Sequence, residues 1–127
     1  MVQLEKLIKL DLIEVISRHP EWMDWKTWLK RQNVSDVTLN QSAAFNTYPL
    51  MIQAAVNGFG VALGWGHLVD DLLKSGELVR PLGLIGSRTD AGYYLLRPKS
   101  KKTFPECLIV EDWLLKASAA RKRYNRS

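Results

Sequence analysis

The chain of 127 residues has a single cysteine, Cys107. One thiol excludes an internal disulfide and any cluster of thiolate ligands drawn from this chain alone, as suits a reducing compartment. Long apolar runs are missing too: no stretch approaches the roughly 20 apolar residues of a membrane-spanning helix. The opening segment, MVQLEKLIKLDLIEVI, is interrupted by Glu5, Lys6, Lys9, Asp11 and Glu14. A secretory apolar core does not tolerate that many charges, so a cytoplasmic protein without membrane contact is expected. The catalytic signatures are also lacking. There is no nucleophile elbow, phosphate-binding glycine loop or dinucleotide fingerprint. His19, His67 and Cys107 are scattered, and no motif supplies a fourth zinc ligand. Asp70-Asp71 and Glu111-Asp112 are adjacent in sequence and diverge around a helix, unlike a catalytic pair. No metal or cofactor is expected, and an enzyme is the least supported class.

The formal charge of +5 points to a nucleic-acid partner only until it is located. Lys116, Arg121, Lys122, Arg123 and Arg126 follow the last acid, Asp112, and the first 115 residues carry thirteen charges of each sign. The basicity belongs to a tail, residues 120–127, read as a disordered, solubilising end.

The whole chain is 46% apolar, enough for one core at this length. LEKLIKL suits a short amphipathic helix, and the segment from Leu12 to Ser17 suits a strand that His19-Pro20 breaks. EWMDWKTWLKRQN reads as a helix with Trp22, Trp25 and Leu29 on one face and Trp28 well round to one side. That stripe is assigned to core packing in preference to an aromatic cage or a base-stacking platform. VTLNQSAAFN reads as a strand ending near Asn46. Asn46 is then the expected N-cap, with Pro49 in the first turn and Leu50, Met51, Ala54 and Ala55 inward. GVAL is a short strand suited to the interior of a sheet covered on both faces. HLVDDLLKSGEL is a helix with Leu68, Val69, Leu72 and Leu73 inward, closed by Gly76. ELVRPL and YYLLRP are read as further strands, limited by Pro81 and Pro98. A last helix capped by Thr103 places Phe104, Leu108, Trp113 and Leu114 as core candidates. The order βαβαβαββα predicts a three-layer αβα protein of the α/β class.

The motifs W-x2-W-x2-WL, F-x4-L-x3-AA-x2-G-x-GVAL, LV-x2-L-x2-GEL-V-x-P and YYLL-x-P, in that order and followed by a Trp-Leu helix, resemble the LysR-type transcriptional regulators. The likeness is strongest to their glycine-cleavage-activator-like branch and runs from about Leu4 to Ala119. It implies the C-terminal part of an effector (substrate)-binding domain with a type 2 periplasmic-binding-protein-like fold. Residues 1–119 would be a partial effector domain: a second lobe over about 12–90, then a strand and helix over 91–119 that return to a missing first lobe. By the same likeness the chain would lack the helix-turn-helix, would not bind DNA directly, and would sense a small organic effector, a carboxylate among the candidates. It would form a homo-oligomer or pair with a full-length regulator. A pure interaction role with an intact regulator, or a cytosolic solute-binding relic, is the alternative.

Two corners are the expected binding residues. Asn46 and Thr47 stand at a helix start, where free N–H groups and the helix dipole favour an anion; the plain alternative is that Asn46 only caps its own helix. Gly64, Trp65 and Gly66 follow GVAL, where glycines admit close backbone approach and the Trp65 ring offers an apolar cover, or simply fills space. His67 is read as a helix-start residue. Tyr93, on the returning strand, faces the hinge by analogy, with Tyr94 pointing the other way. The site reading requires that the corners at Asn46 and Trp65 open onto one groove.

Overall fold

The computed structural model describes residues 3–16, 22–83, 85–87, 89, 94–97, 99 and 103–121. They divide into two compact units, Met1–Thr89 and Asp90–Arg126. Tyr93, His19, Pro20, Pro98 and the tail beyond Arg121 lie outside the described residues.

The first unit is built on three parallel strands in the order β2-β1-β3. They are β1 (Leu12–Val15), β2 (Gln41–Phe45) and β3 (Val61–Ala62). Central β1 pairs Leu12 with Gln41 and Val61, and Ile13 with Ala43 and Ala62. The register slips between Leu12 and Ile13, so Ser42 is the extra residue on β2. Side chains alternate along a strand. Leu12 and Ile13 therefore face opposite ways, and each is fully buried in a different layer. This double burial is what an uninterrupted apolar pair on a parallel strand requires.

The connections explain the layers. The chain leaves β1 for β2 on one side, then crosses back past β1 to β3 on the other. Right-handed crossovers in opposite directions put their helices on opposite faces. On Leu12's face lie α1 (Leu4–Leu7) and α2 (Trp25–Arg31), whose Leu7, Trp25, Trp28 and Leu29 form a cluster with Leu82. On Ile13's face lie α3 (Tyr48–Val56) and α4 (Gly66–Ser75), which bring Met51, Ile52, Ala54 and Val69. The arrangement is three-layer αβα.

α2 begins where Asp24 accepts the Thr27 N–H on its side chain at 2.7 Å, an N-cap bond. It ends at Asn33, whose φ of 60° is the left-handed conformation that Asn tolerates after a helix. Because the helix starts at Trp25, Trp22 precedes it and is exposed. The buried stripe is Trp25, Trp28 and Leu29, spaced i, i+3, i+4, in place of the expected Trp22, Trp25 and Leu29. Trp25 and Trp28 meet edge to face with ring centres 5.7 Å apart. α4 stops at Gly76, whose φ of 81° costs glycine nothing.

Other expectations are corrected. Leu50 and Leu68 are exposed, because they sit on the outer sides of α3 and α4. ELVRPL is not a strand. After α4 the Leu78 N–H turns back to the Leu72 carbonyl at 3.0 Å, and the segment serves to carry Leu82 into the core.

The second unit contains α5 (Pro105–Ala120), entered from Phe104, not Thr103, with Pro105 in its first turn. Tyr94–Arg97 carries no strand. Within this unit Arg97 reaches Glu111 at 3.5 Å, and Lys116 pairs with Asp112 one turn away. No residue of α5 is buried, so Leu108, Trp113 and Leu114 are exposed, as is Phe104 ahead of it. Apolar side chains occur on more than one side of α5, and the described residues of this unit do not cover them. Such a helix needs cover on several faces.

Candidate functional site

The carboxyl ends of β2 and β3 flank that of β1, and a helix starts after each. At the end of β2 the Ile16 N–H still bonds the Phe45 carbonyl at 2.7 Å. The chain then bends through Asn46, and Thr47 becomes the N-cap of α3 with an extended backbone (φ −138°, ψ 147°). Thr47, and not Asn46, holds that position, because Pro49 falls within the first turn and the helix begins at Tyr48. The Thr47 carbonyl accepts the Met51 N–H at 3.3 Å, while its side chain makes no cap bond. Asn46 and Thr47 are both exposed.

The second corner starts at Gly60, where the Val61 N–H takes the Asp11 carbonyl at 2.8 Å and fixes β3 against β1. After Ala62 the chain passes through Leu63 and Gly64 to Trp65, the N-cap of α4. The Trp65 carbonyl accepts from Leu68 at 2.8 Å and Val69 at 3.2 Å. A Cβ at Gly64 would stand only 3.2 Å and 3.3 Å from the two methyls of Val69, which is buried. The missing side chain at Gly64 thus lets the first turn of α4 settle over the strand end. Trp65 and Gly66 are half-buried; His67 is exposed.

One hydrogen bond joins the corners. The Trp65 N–H donates to the Tyr48 hydroxyl at 2.8 Å, from the cap of α4 to the first residue of α3. The starts of α3 and α4 therefore lie side by side at one end of the sheet. The structure brings Asn46, Thr47, Gly64, Trp65 and Gly66 to this end; Tyr93 is outside the described residues. Here α2 leaves β1 for one face and α4 leaves β3 for the other. In open parallel sheets ligands bind in the crevice at such a switch point. Sequence reasoning missed Tyr48. Nothing local in the sequence marks it, because its partner Trp65 is 17 residues away.

Other polar features lie elsewhere. A shallow depression of about 300 Å³, floored by Leu29 and walled by Lys26, Lys30, Val34, Val37 and Leu39, runs along α2 toward the entry of β2. It shares no residue with the corners. Lys74 is held above its ordinary pKa, first by the 2.9 Å hydrogen bond it donates to Asp71 and then by that carboxylate's charge. This exposed pair is at the far end of α4. Among the described residues no group of three His, Cys, Asp or Glu side chains could hold a metal ion. No described helix is long and apolar enough to cross a membrane.

A parallel αβα unit with paired helix starts at its carboxyl edge defines the class as a periplasmic-binding-protein-like lobe. The family pattern described as LysR substrate binding domain matches residues 1–119, and the chain belongs to that family. It is 26% identical over 118 residues to the glycine cleavage system transcriptional activator of Escherichia coli (strain K12), covering 93% of this chain and 37% of that protein. It is 30% identical over 93 residues to the HTH-type transcriptional activator AmpR of Citrobacter koseri, covering 73% and 31%. Among solved structures, the effector domain of the transcriptional regulator AmpR of Pseudomonas aeruginosa superimposes with a TM-score of 0.73 at 27% identity, over 91% of this chain and 53% of that one. The chain thus spans about a third of the length of these curated relatives and about half of the solved effector domain.

Proposed function

We propose that these 127 residues are the small-molecule-sensing part of a LysR-type transcriptional regulator, forming one wall of its effector cleft and reading no DNA themselves. The observation that carries this reading is the Trp65 N–H to Tyr48 hydroxyl bond, which ties two helix starts together beside β1. Asn46 and Thr47 would receive the anionic group of a small organic effector, a carboxylate being the best match to a helix start. Trp65, flanked by Gly64 and Gly66, would cover its apolar body; the expected contribution of Tyr93 falls outside the described residues. Such a site does no chemistry and needs no cofactor. It acts by differential affinity: an effector that bridges two lobes favours one arrangement over the other. The protein is read as cytoplasmic.

With one wall only, the isolated chain should bind weakly. NMR titration with small carboxylates is expected to move the amides of Asn46, Thr47, Gly64, Trp65 and Gly66, with dissociation constants of about 1 mM or weaker, roughly 4 kcal/mol. Micromolar affinity would contradict the single-wall reading. An absence of shifts at these residues at saturating ligand would remove the site.

A second reading is favoured by α5. Its Ile109, Val110, Trp113 and Leu115 are all more than half exposed. An apolar surface of this kind marks a place where protein docks. The chain would then self-associate or pair with an intact regulator. Light scattering should report at least two chains per particle. A clean monomer that also fails to co-purify with a full-length family member would eliminate this reading.

A further inference from the structure

We infer that Tyr48 sets the spacing of the two corners, and through it the size of ligand the groove accepts; this rests on the effector-site reading above. Tyr48 is the first residue of α3, and its half-buried ring packs against the cluster of Ile13, Met51 and Ile52. A phenol has two side-chain torsions, and packing fixes both, so the hydroxyl projects a set distance from α3. That hydroxyl meets the Trp65 N–H at 2.8 Å. The partner is a backbone amide at a helix start, where donors have no intrahelical acceptor. The bond therefore uses a group that would otherwise face solvent or ligand.

Two consequences follow for the site. First, α4 cannot approach α3 more closely than the ring allows, nor drift away without losing the bond. Secondly, the Trp65 amide is withdrawn from ligand binding. That leaves the Asn46–Thr47 side to meet an anionic group and the Trp65 side to meet an apolar body. Tyr48 touches no ligand in this scheme. It is a positioning residue that acts through Trp65, and the ligand class it implies is a small carboxylate whose apolar part matches a fixed gap.

The test is Tyr48→Phe in the full 127-residue chain, followed by amide NMR with acetate and phenylacetate as probes. Phenylalanine keeps the ring and removes the hydroxyl, and with it the acceptor of the Trp65 N–H. Amides of β1 and β2 should keep their protection, while the Trp65 amide exchanges about fivefold faster, the effect of losing one ordinary hydrogen bond. The ratio of the two probe affinities, read at Thr47 and Trp65, should fall at least threefold, a change that a merely structural role would not produce. Unchanged exchange at Trp65 would overturn the inference, and so would faster exchange with an unaltered probe ratio. If neither probe moves any corner amide in the parent protein, the effector-site reading fails and the ligand-size claim falls with it. The spacer role is then decided by the exchange ratio alone.

Discussion

Trp25→Ala should abolish cooperative folding or bring it to the edge of detection. Trp25 is 2% exposed, one of two tryptophans in the core, and it packs edge to face on the other, Trp28. Its indole N–H also donates to the Ile13 carbonyl at 3.0 Å in a buried bond between α2 and the central strand. Truncating a buried Trp costs about 3–5 kcal/mol through lost transfer energy and cavity. Losing the indole donor adds roughly 1 kcal/mol. Domains of this size are stable by only about 5–15 kcal/mol. With a urea dependence of roughly 1–3 kcal/mol per molar, the midpoint should fall by about 2 M or more, if a transition survives. Trp25→Phe separates the two contributions, keeping most of the packing and deleting the donor. Trp22→Ala is the control, because Trp22 is exposed and should change stability by only about 0.5 kcal/mol. Equal, small effects at both positions would mean that the Trp cluster is not the core of this face.

The difference between those two tryptophans also shows where the sequence was legible. Composition and periodicity put strands over Leu12–Ser17, Val37–Asn46 and Gly60–Leu63 and helices from Glu21, Thr47 and His67, and each overlaps an observed element, beginning at Leu12, Gln41, Val61, Trp25, Tyr48 and Gly66 respectively. The phase of α2 was not legible. It depends on whether Asp24 or an earlier residue caps the helix, and several residues there were able to do so. Phe104, Leu108, Trp113 and Leu114 were read as core because an apolar helix is normally covered. The sequence of one chain says that a partner surface is needed, and it does not say which polypeptide supplies it. At the corners, Asn46, Thr47, Gly64, Trp65 and Gly66 stood out as turn chemistry. Tyr48 did not, since a long-range hydrogen bond to an amide 17 residues away leaves no local pattern.

Gly60→Ala should disturb both the sheet and the corner that follows β3. Gly60 has φ 156°, outside the range that L side chains adopt readily, at a strain of about 1–3 kcal/mol for alanine. There is also no room for a side chain. A Cβ would collide with the Asp11 carbonyl oxygen and stand 3.1 Å from a methyl of Ile13. That carbonyl is the one that accepts the Val61 N–H, so the added methyl would push apart the first bond between β1 and β3. We expect a loss of about 3–4 kcal/mol, summing backbone strain with one disrupted ladder bond. Gly76→Ala provides the comparison. Gly76 also has positive φ, at 81°, but nothing lies within 4 Å of its added Cβ, so about 1 kcal/mol is expected. The mechanism makes a second forecast. Displacing β3 must move the chain that follows it, so the Trp65 amide should lose its Tyr48 partner and its protection from exchange in Gly60→Ala but not in Gly76→Ala. Matching stabilities for the two variants would show that β3 does not depend on this close approach. A protected Trp65 amide in a destabilised Gly60→Ala chain would show that the groove corner is held independently of the sheet.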